Sequence, residues 1–410
     1  MRVPEESLVQ IVEPKMKNGV PDGSAEITGA VQNPIGTGRL KEMAQSNSRV
    51  AIVVDDVTRP APTRLMIPPI LQELHEAGVS DENVTVIFAT GIHRDVRPDE
   101  MAGLIGEDIY GRVKAVSHNS VEENCVHLGN TSFGTKVYIN RIFAEADVKI
   151  LTGDVELHWF AGYGGGRKSV HPGITSAEAV QQNHSLLFHP NAKAGVLEGN
   201  PVHMDMDEAA QLAKVDFTLN VVLNSKNEIV RAIAGDCRKV LSEGVKTVDE
   251  MYKVPVSRKA DIVVASAGGS PHDINFHQSH KGIESVLNIV KEGGAIILVA
   301  ECPEGHGNEV FYEWMMNFKT SKEMEAKIKK KFITGGHKAY YLTRALEKFR
   351  IYLVSVMPDY SAADVFRLRT AKTVNAALQM ALRALGKDSK IAVVPQAAGT
   401  LPILQQQSQQ

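Results

Sequence analysis

The segment of residues 153–189 holds the densest group of chemically capable side chains in the sequence. It contains a glycine-rich run, Gly162–Gly166, directly before Arg167 and Lys168, together with four of the chain's 14 histidines. Glycine-rich turns let backbone N–H groups close on a phosphate, so we expect this turn and its two basic residues to bind an anion. The turn is not a P-loop, because arginine stands where Walker A requires glycine directly before the lysine.

The four histidines of this segment are spaced by 13, 13 and 5 residues, which matches no standard zinc motif. Neutral imidazole also suits nickel and copper. We expect His184, which follows Asn183 in a predicted helix, to approach a ligand held at Lys168. A metal hydrolase that uses His158, His171 and His184 remains an alternative, and so does a nucleotide-binding protein without catalysis.

Polar residues also follow two predicted strands of the first half. Asp55–Pro60 comes directly after the apolar run Val50–Val54, and Ala89–Arg94 comes after Val84–Phe88. In open α/β sheets, ligands bind at the carboxyl ends of the strands. The arginine of the first segment offers a bidentate fork for a planar anion, and His93 in the second is a candidate general acid or base. Capped turns are the alternative for both segments.

A further polar segment, Ser266–Lys281, follows the first predicted strand of the second half. If His277–Val290 is helical, Gln278 and Lys281 lie three residues apart and share a face. An amide and an ammonium on one face are able to close on a carboxylate. The alternative is a solvated helix start.

These segments are embedded in alternating strand and helix patterns. The predicted strands are near-continuously apolar, as is typical of strands buried on both faces of a parallel sheet, and the alternation predicts βαβ units. With 410 residues, we expect an α/β protein of two domains, each with a mostly parallel sheet flanked by helices and with the active site in the cleft between them. The predicted domains are residues 1–256 and 257–396, and the tail 397–410 is considered as a return to the first domain.

Composition excludes several classes of protein. The formal net charge of −3 argues against a nucleic-acid-binding surface, because such proteins usually carry a basic excess. The three cysteines are far apart and odd in number, which indicates neither a disulfide framework nor a cysteine zinc site and fits a reducing compartment. The first residues lack the layout of a signal peptide, and no apolar run is long enough to span a membrane. We therefore expect a cytoplasmic protein.

Five motifs occur together in this chain: Asp56-x-x-Arg59-Pro60, Ala89-Thr90-Gly91-x-His93-Arg94, Glu156-Leu157-His158-x-Phe160-Ala161-Gly162-Tyr163-x-Gly165-Gly166-x-Lys168, Asn183-His184-Ser185 and Gln278-x-x-Lys281. In combination they resemble the nickel-pincer lactate racemase family. The likeness covers nearly the whole chain, by motifs as far as Lys281 and by layout beyond it.

The resemblance implies a cofactor and a metal. Lys168 looks like the lysine that carries a nickel pincer, pyridinium-3,5-bisthiocarboxylic acid mononucleotide, as a thioamide. His184 looks like the nickel ligand that the protein contributes. Asp56, Thr58, Arg59 and the turn Gly164, Gly165 and Gly166 would then anchor the nucleotide, and Arg59 the substrate as well. Other proteins would have to build this cofactor.

The resemblance also implies a reaction. His93 and His158 look like the two acid/base histidines of a racemase or epimerase that inverts C2 of a 2-hydroxy acid through a transient 2-keto acid. Gln278, Lys281 and His277 would hold the substrate from the second domain. We also consider a homodimer.

The sequence departs from the family pattern at three positions. Arg167 precedes the lysine where a small residue is expected, Trp159 stands in place of tyrosine, and His277 stands in place of tyrosine near the substrate side chain. A polar residue at position 277 indicates a substrate that is larger or more polar than lactate, such as a dicarboxylate or a sugar acid.

Overall fold

A computed structural model describes residues 1–3 and 5–405. The chain forms two compact units. One, called here the central unit, is Met16–Glu250, and the other, called the terminal unit, joins Met1–Lys15 to the chain from Met251 onward.

The strands, in chain order, are β1 Leu8–Ile11, β2 Val50–Asp55, β3 Val84–Ala89, β4 Lys114–Ser117, β5 Cys125–Asn130, β6 Lys136–Asn140, β7 Val148–Asp154, β8 Leu157–His158, β9 Gly162–Tyr163, β10 Phe217–Leu223, β11 Ile229–Gly235, β12 Lys253–Val256, β13 Ala260–Ser266, β14 Val290–Val299, β15 Arg350–Val354, β16 Arg369–Thr370, β17 Ile391–Val394 and β18 Leu401–Leu404. The α-helices are α1 Gly23–Gln32, α2 Leu40–Met43, α3 Thr63–Glu76, α4 Pro98–Ile105, α5 Glu107–Tyr110, α6 Arg141–Glu145, α7 Ala177–His184, α8 Pro201–Ala213, α9 Cys237–Tyr252, α10 Phe276–Ser279, α11 Lys281–Val286, α12 Glu309–Asn317, α13 Ser321–Lys330, α14 Gly336–Leu346 and α15 Val374–Leu385.

The main sheet of the central unit has the order β11-β10-β7-β2-β3-β4. Its strands pair in parallel, except that β11 returns antiparallel to β10 as the predicted hairpin. Alternate residues of β2 enter two separate cores: Val50, Ile52 and Val54 pack on the side of α1 and α3, whereas Ala51 and Val53 pack on the side of α6 and α8. The continuous apolar run therefore reflects a strand covered on both faces.

The main sheet of the terminal unit has the order β1-β17-β13-β14-β15-β16, and all of its neighbouring strands are parallel. The predicted fold class, two α/β domains with mostly parallel sheets, is thus confirmed. Within the described residues, no helix is long and apolar enough to cross a membrane.

Both ends of the chain belong to the terminal unit, which differs from the expected domains. The first residues were placed with the first domain, yet β1 pairs in parallel with β17. The tail is considered as a return to the first domain, and β18 does pair with β12, a strand within the expected bounds of that domain but in the terminal unit of the structure. Residues 406–410 lie outside the described residues. The division between the units falls after Glu250, six residues before the expected boundary.

Candidate active site

Three neighbouring strands of the central sheet, β7, β2 and β3, end at one edge. The chain leaves them through three segments that carry predicted site residues: Asp55–Arg59, Ala89–His93 and Asp154–Lys168. These segments contact one another. Arg59 Nη1 lies 3.2 Å from Glu156 Oε1, and His93 Nδ1 lies 2.8 Å from Asp56 Oδ2. The sheet therefore brings together residues that are far apart in sequence.

His93 is oriented by Asp56. The carboxylate of Asp56 is buried, and its Oδ2 lies 2.8 Å from His93 Nδ1, while its Oδ1 accepts from both the N–H and the hydroxyl of Thr58. Although burial opposes it, hydrogen bonding to His93 and Thr58 holds the pKa of Asp56 below its usual range. Because a carboxylate only accepts, Nδ1 of His93 carries the proton and Nε2 has the lone pair of a base. The polar groups expected to hold a nucleotide are here engaged in orienting a histidine.

His158 is held in the opposite way. Its Nδ1 accepts a hydrogen bond from the N–H of Ala161 at 3.2 Å, so the neutral ring carries its proton on Nε2. Burial, followed by the positive charges of Lys168 and Arg59, holds the pKa of His158 well below its usual range. The ring also meets Phe160 edge-on, with centroids 4.6 Å apart. The two candidate acid/base histidines are therefore fixed in opposite tautomers.

The sequence predicts that Arg167 binds an anion, but the side chain points into the protein instead. Its side chain is fully buried, and its guanidinium donates to the carbonyl oxygens of Ala161, Tyr163, Gly164 and Gly165. Its Nε donates to Nδ1 of His203 at 2.9 Å. The guanidinium thus satisfies the carbonyl groups of the glycine-rich turn and fixes the shape from which Lys168 projects.

The glycines of the turn are required by close packing within the protein. A Cβ on Gly164 would lie 2.9 Å from Cγ of Glu156, and one on Gly165, where φ is +77°, would lie 2.9 Å from Val155. The N–H groups of Gly164 and Gly166 donate to Glu156 and Asn220 within the central unit. The turn therefore contributes a fixed backbone, and two of its N–H groups already have acceptors.

Lys168 lies among carboxylates that end the neighbouring strands. Burial, followed by the charge of Arg59, lowers the pKa of Lys168 to about 7, and Glu156 and Asp55 oppose this shift. Burial raises the pKa of Asp55 to about 6 and that of Asp154 well above its usual range. The amine is thus held partly neutral, which is the state in which it acts as a nucleophile.

His184 is the last residue of α7 and lies in the same environment. Ser176 stands directly before the helix, and its side chain accepts a hydrogen bond from the N–H of Ala179. Near the end of the helix, Nδ2 of Asn183 donates to Oδ2 of Asp205 at 2.8 Å. Burial, followed by charges on His171 and Lys168, lowers the pKa of His184 to about 3. The imidazole is therefore neutral near pH 7, as a metal ligand must be.

Apart from Arg59, the predicted substrate residues lie in the terminal unit. Gln278 is on the short helix α10, and Lys281 begins α11, so the predicted helix is present as two short segments. His277 packs its ring edge-on against Phe311, with centroids 6.1 Å apart. Lys281 is exposed, whereas Gln278 and His277 are half-buried.

Comparisons with known proteins agree with this arrangement. Family models for the lactate racemase N-terminal domain and the lactate racemase C-terminal domain match residues 1–195 and 256–401. The lactate racemase of Thermoanaerobacterium thermosaccharolyticum is 37% identical over 402 residues, which cover 96% of this chain and 94% of the relative. The chain belongs to the lactate racemase family. A second lactate racemase, from Lactiplantibacillus plantarum, is 35% identical over 379 residues, covering 91% of this chain and 89% of the relative.

Solved structures give the same relationship. The lactate racemase apoprotein from T. thermosaccharolyticum matches with a TM-score of 0.90 at 35% identity, covering 99% of this chain and 97% of that one. A protein from Thermotoga maritima matches with a TM-score of 0.67 at 18% identity, covering 95% of this chain and 100% of that one, and this second likeness concerns the fold alone. As a member of the lactate racemase family, the protein is an isomerase.

Family membership removes support from the metal-hydrolase alternative, and the geometry agrees. Across residues 1–3 and 5–405, no three His, Cys, Asp or Glu side chains are grouped so as to hold a metal ion. His171, which this alternative requires, is fully buried, and its Nδ1 lies 2.7 Å from the Thr175 hydroxyl.

Sequence reasoning missed the carboxylate of Asp154 in this lactate racemase family site. Its signal was its position, since Asp154 ends β7 as Asp55 ends the adjacent β2. Asp205 was also missed. It accepts from Thr131, Thr135 and Asn183, and no local pattern marks a buried hub in the middle of a helix.

Proposed function

We propose that this protein inverts C2 of a 2-hydroxy acid, lactate or a larger or more polar relative, through a transient 2-keto acid. The observation that carries the proposal is the pair of oppositely held histidines, His93 and His158, at the sheet edge that also carries Lys168. Racemisation requires acid/base groups on two sides of a planar intermediate. The names of the two curated relatives point to the same chemistry.

The cofactor belongs to this proposal. The α-hydrogen of a hydroxy acid carboxylate is too weakly acidic for a histidine to remove readily, so a hydride route needs a group that no side chain offers. When bound, a nickel pincer nucleotide on Lys168 supplies a reversible hydride acceptor for C2. Cofactor-building proteins and a cytoplasmic location are part of the same proposal.

The residues at the sheet edge suit such a group. Lys168 has a partly neutral amine for a covalent bond, and His184 has a neutral imidazole, which is a favourable nickel ligand. Asp55, Asp154 and Glu156 place carboxylates around the amine. A pyridinium ring would favour the charged forms of these carboxyl groups, and their negative charge would balance its positive charge after Lys168 has become a neutral thioamide.

The protein's own residues then perform binding and proton transfer. His93 takes the hydroxyl proton at Nε2, and Asp56 stabilises the imidazolium that forms. His158 presents an N–H at Nε2, which donates a hydrogen bond to the same oxygen. To act as the base for the opposite enantiomer, the His158 ring must first shift its proton from Nε2 to Nδ1. Arg59, which lies 3.2 Å from Glu156, binds an anionic group of the cofactor or of the substrate.

The test is the mass of the Lys168 peptide from protein made with the cofactor-building proteins. We expect an added mass on Lys168 and racemase activity in the same preparation, and we expect both to be absent from Lys168→Arg. The matched control, Lys149→Arg, changes a lysine of the same unit outside the site and should keep both. His184→Ala should retain the added mass and lose nickel. An active preparation with an unmodified Lys168 would refute the proposal.

A further inference from the structure

The helix that ends at the proposed nickel ligand cannot hold its position by itself. Helix α7 has eight residues, and its buried apolar side chains are Ala179 and Val180. Isolated helices of fewer than roughly 12 residues are marginally stable in water, and the last turn of any helix leaves carbonyl groups without partners inside the helix. The place of His184, the last residue of α7, therefore depends on contacts with the rest of the central unit.

Asn183 makes a buried polar contact at this end of the helix. Its side chain is fully buried, and its Nδ2 donates to the carbonyl oxygen of Val202 at 3.1 Å and to Oδ2 of Asp205 at 2.8 Å. Its Oδ1 has no hydrogen-bond partner within the described ranges, 1–3 and 5–405. The two acceptors on α8 thus fix which side of the amide faces that helix. Because Asn183 directly precedes His184, they also fix the backbone from which the imidazole projects.

Asp205 is a rigid acceptor for this contact. Its side chain is fully buried, and its carboxylate also accepts from the hydroxyl groups of Thr131 and Thr135, which stand at the two ends of the turn between β5 and β6. Donors to both oxygens favour the ionised carboxylate, and hydrogen bonds to an ionised acceptor are roughly twice as strong as neutral ones. Asp205 therefore ties the end of α7 to the β5–β6 hairpin as well as to α8.

The same helix, α8, holds two other parts of the candidate site. Asn200, directly before α8, donates from its Nδ2 to the carbonyl oxygen of Phe160 at 3.0 Å, and the Phe160 ring meets the His184 ring edge-on, with centroids 5.1 Å apart. His203, in the first turn of α8, accepts from Nε of Arg167, the residue before the proposed cofactor lysine. One helix is therefore the common reference for the proposed nickel ligand and for the cofactor turn.

We propose that Asp205 is a positioning residue that, through Asn183, keeps His184 fixed relative to Lys168, so that the retention of nickel depends on this pair of side chains. This inference rests on the proposed function. A metal that takes one ligand from the protein is lost more easily when that ligand can move, and residues that orient a ligand typically contribute 10–100-fold to metal affinity. The bond to Lys168 should not depend on the pair, because α8 holds the cofactor turn through a separate contact, from Arg167 to His203.

The experiment measures the rate at which a chelator, EDTA, removes nickel from cofactor-loaded protein. Asn183→Leu keeps the volume of the side chain and removes its N–H donor, and we expect it to release nickel about 10–100-fold faster while the added mass on Lys168 is unchanged. The matched control is Gln182→Leu, which changes the neighbouring amide of α7. The Gln182 side chain accepts from the N–H of Lys136 on β6, so this variant should release nickel at the rate of the unaltered protein.

A milder variant guards against a folding defect. Asp205→Asn keeps an oxygen for Asn183 but removes the charge that strengthens the contact, and it should accelerate nickel release by a smaller factor than Asn183→Leu. Its control is Asp207→Asn on the same helix, where Asp207 pairs with Arg238 near the surface, and this change should have no effect.

Hydrogen exchange on the apoprotein gives a reading that needs no metal. The N–H groups in the last turn of α7 should exchange faster in Asn183→Leu than in the unaltered protein or in Gln182→Leu. Unchanged exchange and unchanged nickel release in both Asn183→Leu and Asp205→Asn, or equal effects in the two controls, would overturn the inference and leave the racemase proposal standing. If unaltered protein that carries the added mass on Lys168 holds no nickel, the proposed function fails and this inference fails with it.

Discussion

The two histidines at the sheet edge differ in which ring nitrogen is engaged. Asp56 accepts the proton of His93 Nδ1, and the backbone of Ala161 donates to Nδ1 of His158. Each contact is a single hydrogen bond, worth on the order of 1 kcal/mol, yet it decides whether Nε2 carries a lone pair that can take a proton or an N–H that only donates a hydrogen bond. The resting protein is therefore prepared for the enantiomer whose hydroxyl faces His93, and the other enantiomer requires the proton of His158 to move from Nε2 to Nδ1.

We expect Asp56→Asn to lower kcat by about 10²–10⁴-fold in both directions, with a small change in KM. The two donors of Thr58 fix the carbonyl oxygen of the new amide at the Oδ1 position. The amide NH₂ must then face His93 and donate to Nδ1, which moves the histidine proton to Nε2. Initial rates from each enantiomer, measured on protein with equal cofactor content, check this expectation.

The control for this variant is Thr58→Val, which leaves the carboxylate of Asp56 and its contact with His93 in place. It should cost much less activity than Asp56→Asn. Equal losses in the two variants would mean that the loop conformation, and not the tautomer of His93, limits the reaction.

His93 was predictable because it follows a strand, but the role of Asp56 was not. A sequence shows that both residues follow adjacent strands, whereas their hydrogen bond depends on how two loops fold across the sheet edge. The same holds for Arg167, because its position beside glycines suggested anion binding and only the fold directs its side chain inward.

At the scale of elements, the glycine-rich turn is held by one buried cation and one neutral histidine. The guanidinium of Arg167 donates to four carbonyl oxygens and to His203, which lies on α8. Protonation of His203 at Nδ1 would remove the acceptor for Nε of Arg167 and would place an imidazolium beside the guanidinium. Burial, followed by the charge of Arg167, accordingly lowers the pKa of His203 to about 3.

This contact makes the stability of the central unit depend on pH. An unfolded histidine has a pKa of about 6.5, so the unfolded chain binds the proton more readily, and stability falls as the pH drops from about 6.5 toward 3. The slope for one histidine is at most about 1.4 kcal/mol per pH unit. His203→Asn keeps an acceptor for Arg167 that does not titrate, and we expect it to flatten the decrease in Tm between pH 6.5 and 4.5. The control is His75→Asn, at a half-exposed surface histidine. If His203→Asn and this control show the same dependence of Tm on pH, Arg167 and His203 are not coupled.

Elements with strong periodicity were predictable, and others were not. The apolar strands β2, β3 and β7 were predicted within about three residues of their observed ends, because burial on both faces demands continuous apolar runs. The helix α14 was missed, since it buries polar residues such as His337, Lys338 and Thr343. These side chains break the apolar pattern on which helix prediction depends.

At the scale of the whole molecule, the central unit is continuous in sequence and the terminal unit is not. We expect the fragment 16–250 to be soluble and to unfold cooperatively when expressed alone. The fragment 1–195, which corresponds to the N-terminal family model, should fail to do so, because it lacks β10. All seven residues of β10 are buried, and the strand joins β7 to β11.

Circular dichroism and thermal unfolding of the two fragments test this expectation, with the full chain as the reference. If fragment 1–195 unfolds cooperatively and with the same Tm as fragment 16–250, the stability of the central unit does not depend on the complete sheet.

The pairing of β1 with β17 has a consequence for the order of events during synthesis. The ribosome makes Leu8–Ile11 about 380 residues before the partner strand Ile391–Val394. The central unit can be complete when residue 250 has left the exit tunnel, whereas the terminal sheet must wait for about 140 further residues, or roughly 7–30 s at usual elongation rates. Throughout that interval, the leading strand has its hydrogen-bonding groups exposed beside an already folded neighbour. Newly made protein should therefore depend on chaperones through the segment Met1–Lys15, long before the cofactor is attached.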